Sequence, residues 1–256
     1  MAHPHRQIDV FVGPGARGNP AGVVVLHAPL AEAEMQAQAR QLGLPATAFV
    51  ASEPHGGAHD IRWFAPQREI ALCGHGALAA GSVLLSQGAR SVILRSGEGR
   101  LLEVRRADGD GGFALALSGI PTKPRAQPEI PAMLGAQPLE TLWNERGYAL
   151  AIFASAADVR SLAPDLEAAH ALGTVQVIAT ARSKEEGYDI VSRVFSGGKE
   201  DAATGSAHAV LATYWCERLG CDSLTAYQAS ARGGRLSCRL DGERVWIGGA
   251  LREAGS

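Results

Sequence analysis

Aromatic residues are scarce. Phe, Trp and Tyr make up only 5% of the 256 residues, which argues against a stacking platform for single-stranded nucleic acid. Positive charge is not concentrated either: 24 Lys and Arg are set against 26 Asp and Glu, for a net charge of −2. Without a strong positive field, neither nucleic acid nor an anionic membrane is an expected partner. No apolar run reaches the roughly 18–20 residues that a membrane-spanning helix needs. The opening Met1-Ala2-His3-Pro4-His5 lacks the apolar stretch of a secretory signal. Cysteine is sparse as well. Cys73, Cys216, Cys221 and Cys238 form no CxxC pair and no zinc-type Cys/His spacing. No metal site is therefore expected, and thiols in a reducing cytoplasm are the simplest reading.

What the chain does have is apolar mass. At 46% apolar it can bury one large core or two modest ones. Short β-branched or alternating segments predict strands at 7–12, 22–27, 47–52, 59–65, 91–96, 99–105, 112–118, 148–153, 174–179, 188–195, 234–240 and 243–249. Asp110-Gly111-Gly112 and Asp241-Gly242 read as turns between neighbouring strands, so much of the pairing should be antiparallel. Residues 30–42 and 164–172 read as ordinary surface helices. Residues 76–86 and 206–218 differ, because they are apolar or small nearly all round, and such helices are normally enclosed by other structure.

Those two helices organise the chain. Gly74 and Gly205, at their heads, are 131 residues apart, about half the sequence. Each helix follows several strands and an amphipathic helix, and each precedes a strand hairpin. This predicts an α+β protein of two similar lobes, 1–118 and 125–256. Each lobe is a curled, mainly antiparallel sheet around a central helix. Residues 120–128, with three prolines, are the linker candidate.

Both helices open on small residues: Cys73-Gly74-His75-Gly76 and Thr204-Gly205-Ser206-Ala207. First-turn amides lack internal partners, and glycine lets a ligand come close. Two such heads facing one cleft make a carboxylate site. For one motif alone, tight strand-to-helix turns are explanation enough; two matched motifs at half-chain spacing favour the ligand. His75, at a positive helix end, suits a neutral imidazole able to move a proton, although a histidine held by a backbone carbonyl is the ordinary alternative. Asp201, with Glu200, reads most simply as capping the helix and complementing its dipole; the functional alternative is a carboxylate orienting His75 or shuttling a proton. Ser206 is either an ordinary first-turn serine or a donor to a ligand carboxylate.

These segments resemble the phenazine-biosynthesis PhzF-like family, within the diaminopimelate-epimerase-like fold. The matching blocks are Ile8-Asp-Val-Phe11, Gly18-Asn-Pro-Ala-Gly-Val-Val24, Leu44-Pro-Ala-Thr-Ala-Phe-Val50, Ile61-Arg-Trp-Phe-Ala-Pro66, Leu72-Cys-Gly-His-Gly-Ala-Leu-Ala79, Ser192-Arg-Val-Phe195 and Glu200-Asp-Ala-Ala-Thr-Gly-Ser-Ala-His208. The resemblance implies a site between two lobes, a homodimer, and cofactor-free isomerisation of a small carboxylic acid such as a dihydro-hydroxyanthranilate. It carries catalytic or assisting roles onto His75, Asp201 and Ser206, and substrate binding onto Asn19, Gly74, Gly76, Thr204 and Gly205. The family's proton-moving glutamate belongs where this chain has Ala46, and alanine cannot exchange a proton. Glu69 and Glu200 are candidates to fill the vacated place, with a surface strand charge the plainer reading of Glu69.

Three readings stay open. The first is an isomerase with an altered or lost acid/base. The second is a lyase or dehydratase using Cys73, by analogy with proline-racemase-like enzymes; the Cys73/Thr204 pairing argues against two-thiol racemisation. The third is a carboxylate-binding or interaction protein on the same scaffold.

Overall fold

The computed structural model describes residues 3–86, 88–107, 112–183 and 187–254. The chain divides into two compact units, Met1–Ala116 with Gly248–Ser256, and Leu117–Ile247.

In the first unit the elements run β1 (Arg6–Val12), β2 (Asn19–Leu26), α1 (Glu32–Leu42), β3 (Ala46–Ala51), β4 (His59–Phe64), β5 (Glu69–Ile70), α2 (Gly74–Leu85), β6 (Ser91–Ser96), β7 (Leu101–Arg106) and β8 (Phe113–Ser118). Pairing runs β1–β2 antiparallel, β2–β3 parallel, β3–β4 antiparallel, β4–β6 parallel, then β6–β7 and β7–β8 antiparallel. Helix α2 packs against β1, β2, β3, β6 and β7. Its residues Gly76–Gly81 and Val83–Leu85 are buried, as the lack of a polar face demands. Gly81 lets the helix approach β7: a Cβ there would stand 2.6 Å from Val104 Cγ1.

The second unit continues with β9 (Lys123–Pro124), α3 (Glu129–Leu134), β10 (Glu140–Asn144), β11 (Tyr148–Ile152), α4 (Ala156–Ser161), α5 (Leu166–Ala171), β12 (Gln176–Arg182), β13 (Ile190–Ser196), β14 (Lys199–Glu200), α6 (Gly205–Leu219), β15 (Ser223–Gln228), β16 (Gly234–Asp241) and β17 (Arg244–Glu253). Pairing repeats the first plan: β10–β11 antiparallel, β11–β12 parallel, β12–β13 antiparallel, β13–β15 parallel, β15–β16 antiparallel. Helix α6 packs on β15 and β16, and its residues Ala207–Ala212 are buried. The fold is α+β, with two similar sheets each curled around its own helix.

The register shows how close the repetition is. Thr47 pairs with Phe64 and Phe64 with Glu69; in the second unit Val177 pairs with Phe195 and Phe195 with Glu200. Gly74 and Gly205, the first residues of α2 and α6, then fall at matching points. By the same register Ala46 corresponds to Gln176, His75 to Ser206, Cys73 to Thr204 and Arg62 to Arg193.

The division departs from the expected limits at both ends. Gly248–Ser256 counts with the first unit, because Ala250–Glu253 pair antiparallel with β1. Residues 120–128 are not a linker but an edge of the second unit. Lys123 and Pro124 pair with β10, Arg125 N–H donates to Thr141 O, and Ile120 N–H donates to Thr213 Oγ1. Prolines suit such an edge, where a missing N–H costs no ladder bond. Residues 110 and 111 of the expected turn lie outside the described residues.

Candidate functional site

The two helix heads are described in turn. At α2 the N-cap is Cys73, in extended backbone, and its side chain makes no cap hydrogen bond. The first intrahelical bond runs from Ala77 N–H to Cys73 O. Cys73 is 6% exposed, and its Sγ lies 3.5 Å from His75 Nδ1. Gly76 is needed for space: a Cβ there would meet Trp63 Cδ1 at 2.8 Å and Cys73 Sγ at 3.0 Å. Asn19 opens β2 opposite Val10 and is fully buried. Ala46 opens β3 opposite Ala21 and is fully buried too. It contributes only a methyl to its end of the sheet.

The α6 head is a polar network. Thr204, a residue type that commonly caps helices, makes no side-chain cap. Its hydroxyl donates instead to Asp201 Oδ2 at 2.6 Å. Asp201 Oδ1 accepts from Ala202 N–H at 2.9 Å. Thr204 N–H donates to Gln228 Oε1, and Gln228 Nε2 donates back to Asp201 O at 2.7 Å. Ser206 Oγ donates to Gln176 Oε1 at 3.3 Å. The structure thus joins Asp201 to Thr204, and Ser206 to Gln176. Sequence reading missed both glutamines, since a lone glutamine in a strand belongs to no motif.

One turn into α6, His208 is fully buried. Its Nδ1 lies 2.8 Å from Thr204 O, so Nδ1 carries the proton, and Nε2 is buried without a hydrogen-bond partner. Burial pushes its pKa down to about 4. His208 is thus held neutral by the fold.

Glu69 and Glu200, the acids considered for the vacated place, are committed elsewhere. Glu69 Oε1 and Oε2 accept from Arg62 Nε and Nη2, each at 2.7 Å, and Arg62 holds the Glu69 carboxyl below the usual range. Glu200 makes the same forked pair with Arg193, at 2.7 and 2.9 Å. Bidentate pairs of this kind fix both partners.

Among the described residues, no group of three or more His, Cys, Asp or Glu side chains is arranged to hold a metal ion. No described helix is long and apolar enough to cross a membrane. All four cysteines are free thiols.

Comparison with known proteins places this architecture. An uncharacterized isomerase of Pseudomonas aeruginosa is 42% identical over 254 residues, covering 95% of this chain and 93% of that protein. The crystal structure of a PhzF-family phenazine biosynthesis protein from Enterococcus faecalis superposes with a TM-score of 0.88 at 34% identity, covering 100% of this chain and 98% of that one. A predicted epimerase of Pseudomonas aeruginosa, 21% identical, shares the fold with a TM-score of 0.75 over 99% of this chain and 98% of that one. The model of the phenazine biosynthesis-like family, PhzC-PhzF, matches residues 8–250, and the chain belongs to that family.

Proposed function

We propose that the protein is an isomerase-type enzyme that moves a proton on a small carboxylic acid, without a cofactor. The observation that carries this reading is the pair of helix heads built in one register. In each the N-cap side chain makes no cap hydrogen bond, and helix N-termini bind carboxylates. His75 is the group for proton transfer, as an imidazole can both take up and give a proton. Asp201 and Ser206 bind and assist. Ala46 stands where the family's glutamate belongs, so turnover of a dihydro-hydroxyanthranilate-type substrate should be low. A homodimer is part of the proposal and is checked by sedimentation equilibrium.

The test is exchange of substrate C–H with deuterated solvent over a panel of small carboxylic acids, followed by NMR. The expected result is slow exchange on at least one acid, abolished by His75→Ala and by Asp201→Asn. Binding with no exchange on any acid would overturn the enzymatic reading in favour of a carboxylate-binding protein.

A second reading has one observation in its favour. Cys73 Sγ and His75 Nδ1 lie 3.5 Å apart, and a thiol beside an imidazole is the arrangement that activates cysteine. A Cys73-dependent lyase would lose all exchange on thiol alkylation or in Cys73→Ala, whereas the isomerase would retain it in Cys73→Ala.

A further inference from the structure

The repeat makes the first residue of β12 informative. Ala46 opens β3 and Gln176 opens β12, each at the start of the parallel pair in its unit. In the first unit that position carries a methyl. In the second it carries an amide, and the amide reaches the helix head: Gln176 Oε1 accepts the Ser206 hydroxyl at 3.3 Å. Ser206 is the second residue of α6, as His75 is the second residue of α2. The strand fixes where the amide starts, because Gln176 N–H donates to Gly147 O at 2.8 Å.

Two consequences follow from the chemistry of the pair. A serine hydroxyl rotates to suit its surroundings unless an acceptor holds its proton. With that proton on Gln176, the Ser206 oxygen presents only lone pairs to a ligand. Gln176 Nε2 keeps two N–H donors, and among the described residues no acceptor takes them. The hydrogen bond is also long for an O–H···O contact, so it contributes little to the fold. Hydrogen bonds at binding sites are often long in the empty protein and tighten around the substrate.

We infer that Gln176 is a substrate-positioning residue: its Oε1 holds Ser206 and its Nε2 donates to a carboxylate oxygen of the ligand. The inference rests on the proposed function, since it takes the α6 head as part of the substrate site. It adds a charge preference. A neutral amide donor beside the first-turn amides of α6 selects an anionic oxygen, and an acid at the same position would repel it.

The experiment is calorimetric titration with 2-aminobenzoate, a small ring carrying carboxylate and amine. It compares the full-length wild type with Gln176→Glu, Gln176→Ala and Ser206→Ala, with the melting temperature of each. Gln176→Ala should weaken binding about tenfold, the loss of one hydrogen bond. Gln176→Glu has the same shape and still accepts from Ser206. It should nevertheless weaken binding about a hundredfold at pH 7, because it replaces a donor with a like charge. Its ratio to wild type should narrow between pH 7 and pH 5 as the new carboxylate protonates. Melting temperatures of the Gln176 variants should match wild type, a readout that separates ligand positioning from a structural role. Wild-type affinity in Gln176→Glu at pH 7, with binding lost in Ser206→Ala, overturns this inference alone. Wild-type affinity in Ser206→Ala, or no binding by the wild type, overturns the reading of the α6 head and the inference with it.

Discussion

The heads of α2 and α6 occupy the same point of the same plan and hold different chemistry. At α2 a thiol and an imidazole stand together, Cys73 with His75, and β3 adds only the methyl of Ala46. At α6 the matching positions are Thr204 and Ser206, tied by hydrogen bonds to Asp201, Gln228 and Gln176. One head carries a thiol in contact with an imidazole; the other carries polar groups held by hydrogen bonds to their neighbours. A duplicated backbone thus supplies two equivalent helix heads, while the side chains alone make them chemically different.

The largest test of that contrast puts a carboxylate back at position 46. By the register, residue 46 relates to His75 as Gln176 relates to Ser206, and Gln176 does reach Ser206. Ala46→Glu should therefore bring an acid to His75 and raise C–H exchange by about 10²–10⁴-fold, the usual worth of a positioned acid/base. Ala46 is fully buried, so the new side chain also has a folding cost of a few kcal/mol unless its carboxylate is solvated. Unchanged exchange in a folded Ala46→Glu variant would break the correspondence of 46 with 176.

Acid stability should separate the halves next. His208 stands where the first unit has Ala77, three residues past the first glycine of each helix. Its folded pKa, about 4, lies below the ordinary 6.5. The unfolded chain therefore takes up a proton first as the pH falls. This contribution to stability is full above about pH 6.5, declines below it, and is lost by about pH 4. The total is about 3 kcal/mol for that shift. Urea melts from pH 7 to pH 4.5 should show the decline in wild type, and a flatter line in His208→Gln. Equal slopes would remove His208 as the cause.

How much of this was legible in the sequence depended on periodicity and on motifs. Helices α2 and α6 stood out because no polar face interrupts them, and the half-chain spacing of Gly74 and Gly205 exposed the repeat. Strand β15 was missed. Its inward residues are Leu224, Ala226 and Gln228, and a glutamine at an inward position blurs the alternation that marks a strand. Strand β10 was missed because only Leu142 of its five residues is buried. The short helices α3 and α4 lie among prolines or span six residues, too few for a period to show. In the site, the motif residues were visible and their partners were not. Gln176 and Gln228 come from distant strands, and only the fold brings them to α6.

Packing gives a smaller test of the same repeat. Gly81 faces Val104 so closely that a Cβ would lie 2.6 Å from Cγ1. The matching positions in the second unit are Ala212 and Cys238, both buried. One half combines a smaller helix residue with a branched strand residue, and the other makes the reverse trade. Gly81→Ala should therefore cost about 2 kcal/mol by overpacking. The double variant Gly81→Ala with Val104→Cys should recover most of it, as a shared contact requires. Additive losses in denaturant melts would show that the two positions do not share their space.

The smallest expected effect compares the twin ion pairs. Arg62–Glu69 and Arg193–Glu200 have the same forked geometry at matching positions of β4/β5 and β13/β14, so geometry cannot separate them. Solvent can. The side chains of the first pair are 31% and 38% exposed, those of the second 12% and 22%. An exposed pair gains little, because water screens the attraction and the freed arginine is readily resolvated; Arg62 also keeps Glu32 at 2.7 Å. Glu69→Gln should cost less than about 1 kcal/mol. Arg193 keeps a backbone acceptor, Leu162 O at 2.6 Å, but no other carboxylate among the described residues, and its charge stays largely shielded from water. Glu200→Gln should therefore cost about 2 kcal/mol, below the penalty for breaking a fully buried pair. Moderate salt should reduce the Glu69→Gln difference and leave most of the Glu200→Gln difference in place. Equal losses with equal salt dependence would mean that the two halves shield their ion pairs alike in solution.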